Sequence, residues 1–406
     1  MSRLSATFSS LSIPTYRYYW FGLLLHMGAM QMQLLSRGYL AYDLTGLASR
    51  VGYVAASGAI TAVLFSLLGG VLADRMDKRL LIQIGQIIAL ILAIIVGLLI
   101  SFEVITWIHL VIASFAQGMI MPLVMPARQA LIPQLVGRKW VMNAIALNSV
   151  GISITNIAFP SLAGILIESI GIAYTYYLMA AMYLFAIVLT AFLPSFSPAS
   201  RGNNVVAEFT AGINYVRKNA LLLTLIILSF SSLIFAMPLR MVIPIVAKDM
   251  FSVDAEGLGW LLSAIGVGSL GGAMVVAFLG KLGNRGIILA STGSISGILL
   301  IAFSLVGNIY PVFWIGLLGM ALMGLIQAAR MTFTNSLMVE YSDEAFRGRV
   351  MSIQGMGWSL MPGAVLPITL ISQYFSIEIA ILFMGLALTT ISLLVLFFNR
   401  SLKLLV

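Results

Sequence analysis

Between Arg285 and Arg330 the chain runs for 44 residues without an Asp, Glu, Lys or Arg. A helix needs about 20 consecutive apolar residues to cross a bilayer, so this run is long enough for two crossings. The stretch "VGNIYP" (306–311) supplies the turn between them. Ten further runs are equally free of charge: 18–36, 51–73, 80–102, 104–127, 140–167, 169–200, 219–239, 257–280, 350–377 and 379–399. Together they predict twelve spans. The runs are too long for barrel strands and do not alternate with period two, and backbone groups in lipid must be satisfied within the segment. The spans are therefore helices. Only 9% of residues are charged, against about 25% in soluble domains.

The net charge of +9 points to topology rather than to nucleic acid. With twelve crossings and both termini in the cytoplasm, 18 of the 22 basic residues fall on cytoplasmic segments, Arg128 and Arg330 among them. Arg37, Arg50, Arg240 and Lys248 are the exceptions. That bias is the positive-inside rule, and it predicts a multi-pass protein of the inner or plasma membrane. With no cysteine and only two histidines, the sequence offers neither a disulfide framework nor a metal site. No cofactor is expected.

The chain reads as a unit written twice. "VGYVAASG" (51–58) matches "LGWLLSAI" (258–265) in pattern, and "GRKWVMNAIALNS" (137–149) parallels "DEAFRGRVMSIQG" (343–355). Near the midpoint "PSFSPASRGNN" reads as a linker, followed by "VVAEFTAGINYVRK". There Val206, Phe209, Ile213 and Val216 recur at helical spacing, as in a short helix lying on the membrane surface. The predicted organisation is a six-helix bundle over 1–194, a cytoplasmic linker with an amphipathic helix over 195–218, and a second six-helix bundle over 219–406. The fold class is an all-α integral membrane protein of two pseudo-symmetric bundles. Parallel repeats of this kind are a transporter plan.

One short segment concentrates charge: "GGVLADRMDKR" (69–79), between spans 2 and 3. It resembles the signature loop of the major facilitator superfamily, with Gly70, Asp74, Arg75, Lys78 and Arg79 matching in type. Asp77 stands where many drug antiporters have Gly. An acidic or polar residue there is similar to the branch containing enterobactin and macrolide exporters, as are "YRYYWFG" (16–22), "AYDLTG" (41–46), "ARQALIPQLV" (127–136) and "FRGRVMS" (346–352). The resemblance covers nearly the whole chain. It implies a cytoplasmic gating latch in which Asp74 meets the start of span 11, near Arg347, Gly348 and Arg349. A carboxylate there would lie against exposed helix N–H groups. The alternative for the three bases is that they are only a topological anchor. In span 5, "NIAFPSLAG" (156–164) keeps Pro160 and Gly164 of the antiporter signature but has Phe159 where family members usually carry Gly.

Intramembrane polar residues are the default pathway candidates. His26, Met30, Gln33 and Arg37 share one face of helix 1 by their spacing, and the resemblance places span 1 along a central cavity. Gln117, Asn148, Asn156, Gln327, Gln354, Trp358 and Arg240 complete the set, although lone amides also serve only to join helices. For proton coupling the candidates are His26 and Asp43. The Met-rich stretches "HMGAMQMQ" (26–33) and "QGMIMPLVMP" (117–126) suit an adaptable wall for apolar ligands as well as an ordinary membrane core.

These features predict a secondary transporter, not an enzyme: an exporter of a hydrophobic or amphipathic small molecule, drug- or siderophore-like, working by alternating access as a monomer in the bilayer. Protons are the candidate coupling ion, and nucleic acid is not an expected partner. An importer of a nutrient or organic anion, and a non-transporting sensor on the same fold, stay open.

Overall fold

A computed structural model describes residues 9–195, 205–279 and 285–398; within these ranges it does not describe the side chains of 67–74, 138, 205–209, 273, 277–279, 285–287, 345 and 398. Among the described residues every element is helical. In chain order the α-helices are α1 (Pro14–Asp43), α2 (Ala48–Arg75), α3 (Lys78–Ser101), α4 (Trp107–Gly118), α5 (Ile120–Ile170), α6 (Ile172–Ala191), α7 (Val205–Lys218), α8 (Ala220–Phe235), α9 (Leu239–Ile245), α10 (Ala255–Leu279), α11 (Arg285–Ile309), α12 (Phe313–Glu340), α13 (Glu344–Leu360), α14 (Val365–Tyr374) and α15 (Ile377–Phe398).

Eleven described segments are long and apolar enough to cross a membrane. The twelfth expected span lies in α1, whose 30 residues reach about 45 Å at 1.5 Å per residue. Its apolarity is diluted by Arg17, His26, Gln31, Gln33 and Arg37. Spans 4 and 5 are not separated by an ordinary loop. Helical backbone runs from Ile120 to Ile170 and is broken at Gly137, whose φ of 69° and ψ of 166° suit a residue without a Cβ. Span 7 outlasts its charge-free run. It continues through α9 and a π turn, Val246–Met250, and so takes Arg240 inside the helical segment Ala220–Met250.

Two basic residues expected on cytoplasmic segments lie within helices long and apolar enough to cross a membrane. Arg128 is 3% exposed within α5, and Arg330 is 2% exposed within α12. A charge ends an uncharged run but does not end a helix. No Gly or Pro follows Arg330 before Glu340, and the helix continues.

The chain divides into two compact units, Met1–Leu44 with Ser57–Gly202, and Thr45–Ala56 with Asn203–Val406. In the first, α1 packs along α5 and α6, and α3 along α6. In the second, α10 lies against α12 through glycines: a Cβ at Gly268, Gly272 or Gly324 would collide with backbone of the facing helix. Close approach of this kind replaces hydrophobic driving force in lipid, where packing has to hold helices together. Residues 45–56 join this second unit at α14. A side chain at Gly52 would run into Thr369, and the Ser49 amide donates to Gln373 Oε1 at 3.1 Å.

The amphipathic segment after the linker forms α7. Val216 on it is buried with Leu222, Val350 and Ile353, and Tyr215 stacks on Phe346 of α13 with ring centroids 4.3 Å apart. Val206 and Phe209, two of the four positions that define its apolar stripe, lie outside the described side chains. The linker residues 196–204 lie outside the described residues altogether.

Candidate functional site

Four of the predicted pathway residues come together in the first unit. Arg37 Nη2 of α1 donates to Gln117 Oε1 of α4 at 3.0 Å, and Gln117 Nε2 donates to Gln33 Oε1 at 2.7 Å. The same oxygen accepts from Tyr183 Oη of α6 at 2.9 Å. The His26 ring meets Tyr183 edge-on, with centroids 5.4 Å apart. Gln33 and His26 are each 1% exposed. Helical spacing brings His26, Gln33 and Arg37 to one face of α1, and three helices are then joined by one relay of polar groups. Neither ring nitrogen of His26 has a hydrogen-bond partner among the described residues. Tyr183 was invisible to sequence reasoning, because nothing in "AAMYLFAI" sets it apart from a membrane-core tyrosine.

The other amides behave differently. Asn148 accepts from Tyr16 Oη at 2.9 Å and donates to Tyr19 Oη at 3.5 Å, tying α5 to the start of α1. Asn156 is half-buried in α5 and takes no part in either group. Phe159, three residues on, covers Gly28 of α1: a Cβ there would lie 2.5–2.7 Å from its ring atoms. The missing glycine of span 5 is matched by a glycine on span 1.

In the second unit Gln327, Gln354 and Trp358 line one open cavity, together with Ser229, Ser232 and Arg330. Gln327 Nε2 donates to the Ala236 carbonyl at 3.2 Å, and Gln354 Nε2 donates to Asn335 Oδ1 at 2.6 Å. Arg240 is half-buried in α9 and is not part of this lining. Asp43 is exposed at the end of α1.

Of the charged loop, Gly70 and Asp74 fall among the residues whose side chains lie outside the description. The rest is placed. Asp77 is the N-cap of α3, its carboxylate accepting from the Arg79 amide at 2.8 Å. Arg79 Nη1 donates to the Leu193 carbonyl at 2.7 Å, holding the start of α3 to the end of α6. Lys78 is buried and Arg75 exposed. The helix that carries span 11 begins at Glu344, with Arg347, Gly348 and Arg349 in its first two turns. Arg347 Nε donates to the Val339 carbonyl at 3.0 Å, and Arg349 lies 5.0 Å from the Phe346 ring centroid. A side chain at Gly348 would meet open space.

Residues 5–402 match the family described as transmembrane secretion effector. Among characterised proteins, the chain is similar to the enterobactin exporter EntS of Shigella boydii serotype 18 and to that of Escherichia coli O81. Each is 25% identical over 289 residues, which is 70% of this chain and 67% of the relative. Among solved structures, it resembles a D-xylose-proton symporter, with a TM-score of 0.73, 14% identity, and coverage of 96% of this chain and 99% of that one. A variant of the nucleoside transporter NupG gives the same TM-score and identity, covering 93% and 98% respectively.

Proposed function

Because the chain belongs to the transmembrane secretion effector family of the major facilitator superfamily, and is thus a multi-pass membrane transporter of small molecules rather than an enzyme, we propose that it is a secondary exporter of a hydrophobic or amphipathic, siderophore-like compound. The observation that carries this reading is the buried relay Arg37–Gln117–Gln33–Tyr183 with the unpartnered His26 beside it. Polar groups of this kind are expensive in a bilayer and are kept where a pathway needs them. The siderophore-like cargo is supported by what the 25% identical relatives are named for. Proton coupling at His26 is part of the proposal, since both its ring nitrogens are without a hydrogen-bond partner among the described residues and its ring stands against Tyr183 of the relay. So is gating through Asp74, on the strength of the loop signature.

The test is flux of enterobactin in sealed proteoliposomes, with and without an imposed pH gradient. The reading expects gradient-stimulated flux that His26→Gln removes. Flux indifferent to the gradient refutes the coupling, and no flux of this or other amphipathic cargo refutes the export reading. We further propose a monomer in the inner or plasma membrane with both termini cytoplasmic. The chain has no cysteine, so single cysteines report sidedness cleanly. Ser401→Cys should react with an impermeant maleimide only after permeabilisation, and Tyr374→Cys, at an exposed position ending α14, in intact cells. The reverse pattern inverts the topology.

A further inference from the structure

Arg330 is 2% exposed and lies in the helical segment Phe313–Glu340, which is long and apolar enough to cross a membrane. Its Nη2 donates to the Leu228 carbonyl and, at 3.1 Å, to Ser231 Oγ, both on α8. Its Nε and Nη1 have no partner among the described residues, and no described Asp or Glu pairs with it. Gly293 of α11 leaves room for the guanidinium, since a Cβ there would lie 3.0 Å from Nη1 and would also strike Ser392 of α15. Ser392 Oγ is itself without a partner. A buried charge with no counter-ion carries a penalty of several kcal/mol that neutral dipoles only partly offset. The guanidinium's bonds to α8 hold the charge in a fixed place and leave Nε and Nη1 without a partner among the described residues.

The cavity that Arg330 lines supplies the space. It is open to solvent, and the unfilled space between its lining side chains, mouth included, is about 340 Å³. Its other polar lining is uncharged, with Ser229, Ser232, Gln327 and Thr334 from α8 and α12, and a free Gln354 Oε1. Trp358 adds an aromatic wall that is 40% exposed. The sequence repeats the device. Ala127–Arg128 in the first unit recurs as Ala329–Arg330, 202 residues on, and Arg128 is likewise 3% exposed with unpartnered Nε and Nη2.

We propose that Arg330 is a substrate-recognition residue, and that its cavity takes an aromatic group bearing an ionised oxygen, a carboxylate or phenolate, on the exported compound. Guanidinium is suited to such oxygens by charge and by its fixed donor geometry. The inference rests on the exporter reading for its cargo, but its test does not. Purified full-length protein is titrated calorimetrically at neutral pH with 2-naphthoate and with its neutral isostere 2-naphthamide. Wild type is expected to bind the acid at least tenfold more tightly than the amide. Arg330→Gln should erase that difference by weakening acid binding alone, and Arg330→Lys should restore part of it. Equal affinities in wild type, or undiminished acid binding by folded Arg330→Gln, overturn the proposal and leave Arg330 a strut between helices. Should Arg330→Gln not fold, Gln354→Glu decides. A carboxylate placed in the cavity should compete for the charge and weaken acid binding at least tenfold, and unchanged binding refutes the site. Discrimination without flux of enterobactin or any other amphipathic cargo sinks the exporter reading and spares the subsite. Flux without discrimination does the opposite.

Discussion

Replacing Gln33 with Leu removes the acceptor at the centre of the relay in the first unit while keeping similar bulk at a position 1% exposed. Gln33 Oε1 takes two hydrogen bonds, from Gln117 Nε2 at 2.7 Å and from Tyr183 Oη at 2.9 Å. In a soluble protein each buried donor left unmatched would cost about 1–3 kcal/mol. In a bilayer the measured worth of an interhelical bond is smaller, about 0.6 kcal/mol on average and about 1.7 at most, because the helices separated in lipid also find partners. Two bonds therefore put Gln33→Leu at about 1–3 kcal/mol of destabilisation. Tyr183→Phe removes one bond but leaves Gln33 still bonded to Gln117, so it should cost about 0.5–1 kcal/mol. The combination is the sharper measurement. In the Gln33→Leu background the tyrosine hydroxyl is already orphaned, so Tyr183→Phe should be neutral or stabilising. The cycle should return a coupling of about 1 kcal/mol, well above the roughly 0.3–0.5 kcal/mol within which independent sites add. The assay is reversible denaturation in mixed micelles, run on wild type, both single variants and the double. Additive effects would mean that Gln33 and Tyr183 do not share a bond, and the relay as described would be wrong.

Gly28→Leu should destabilise by about 1–3 kcal/mol through overpacking against the Phe159 ring, and Phe159→Ala in the same chain should recover part of the loss; a thermal melt of the pair checks this, and no loss in the single variant would refute the contact. Asp77→Ala should cost about 1 kcal/mol by uncapping α3 and leave cargo flux per folded molecule unchanged. Asp74→Asn is expected to do the opposite, lowering flux in vesicles while expression and melting temperature stay near wild type; normal flux in that variant would remove Asp74 from gating.

Part of the candidate site could be read from the chain directly. His26, Gln33 and Arg37 lie on one face because helical spacing dictates it, and Gln117 could be named beside them as an amide in an apolar run. Pairing Gln33 with Tyr183 was out of reach, since the two are 150 residues apart and no local pattern marks the tyrosine. Asp77 illustrates the same limit in a motif. Its loop was recognisable, but its use as a helix cap depends on where α3 begins.

What the sequence determined by itself is the membrane plan. Charge-free runs specify where helices can cross, because every buried backbone group must be satisfied within the segment and every charge must reach water or a partner. The same rule assigned Arg128 and Arg330 to the membrane edge, where most such residues belong. Tertiary structure gave Arg330 its shelter, since its surroundings include Leu228 and Ser231 of α8 and Gly293 of α11. Hydropathy is a property of a segment. Whether a charge is sheltered is a property of the helices packed around it, and those meet only when the chain has folded.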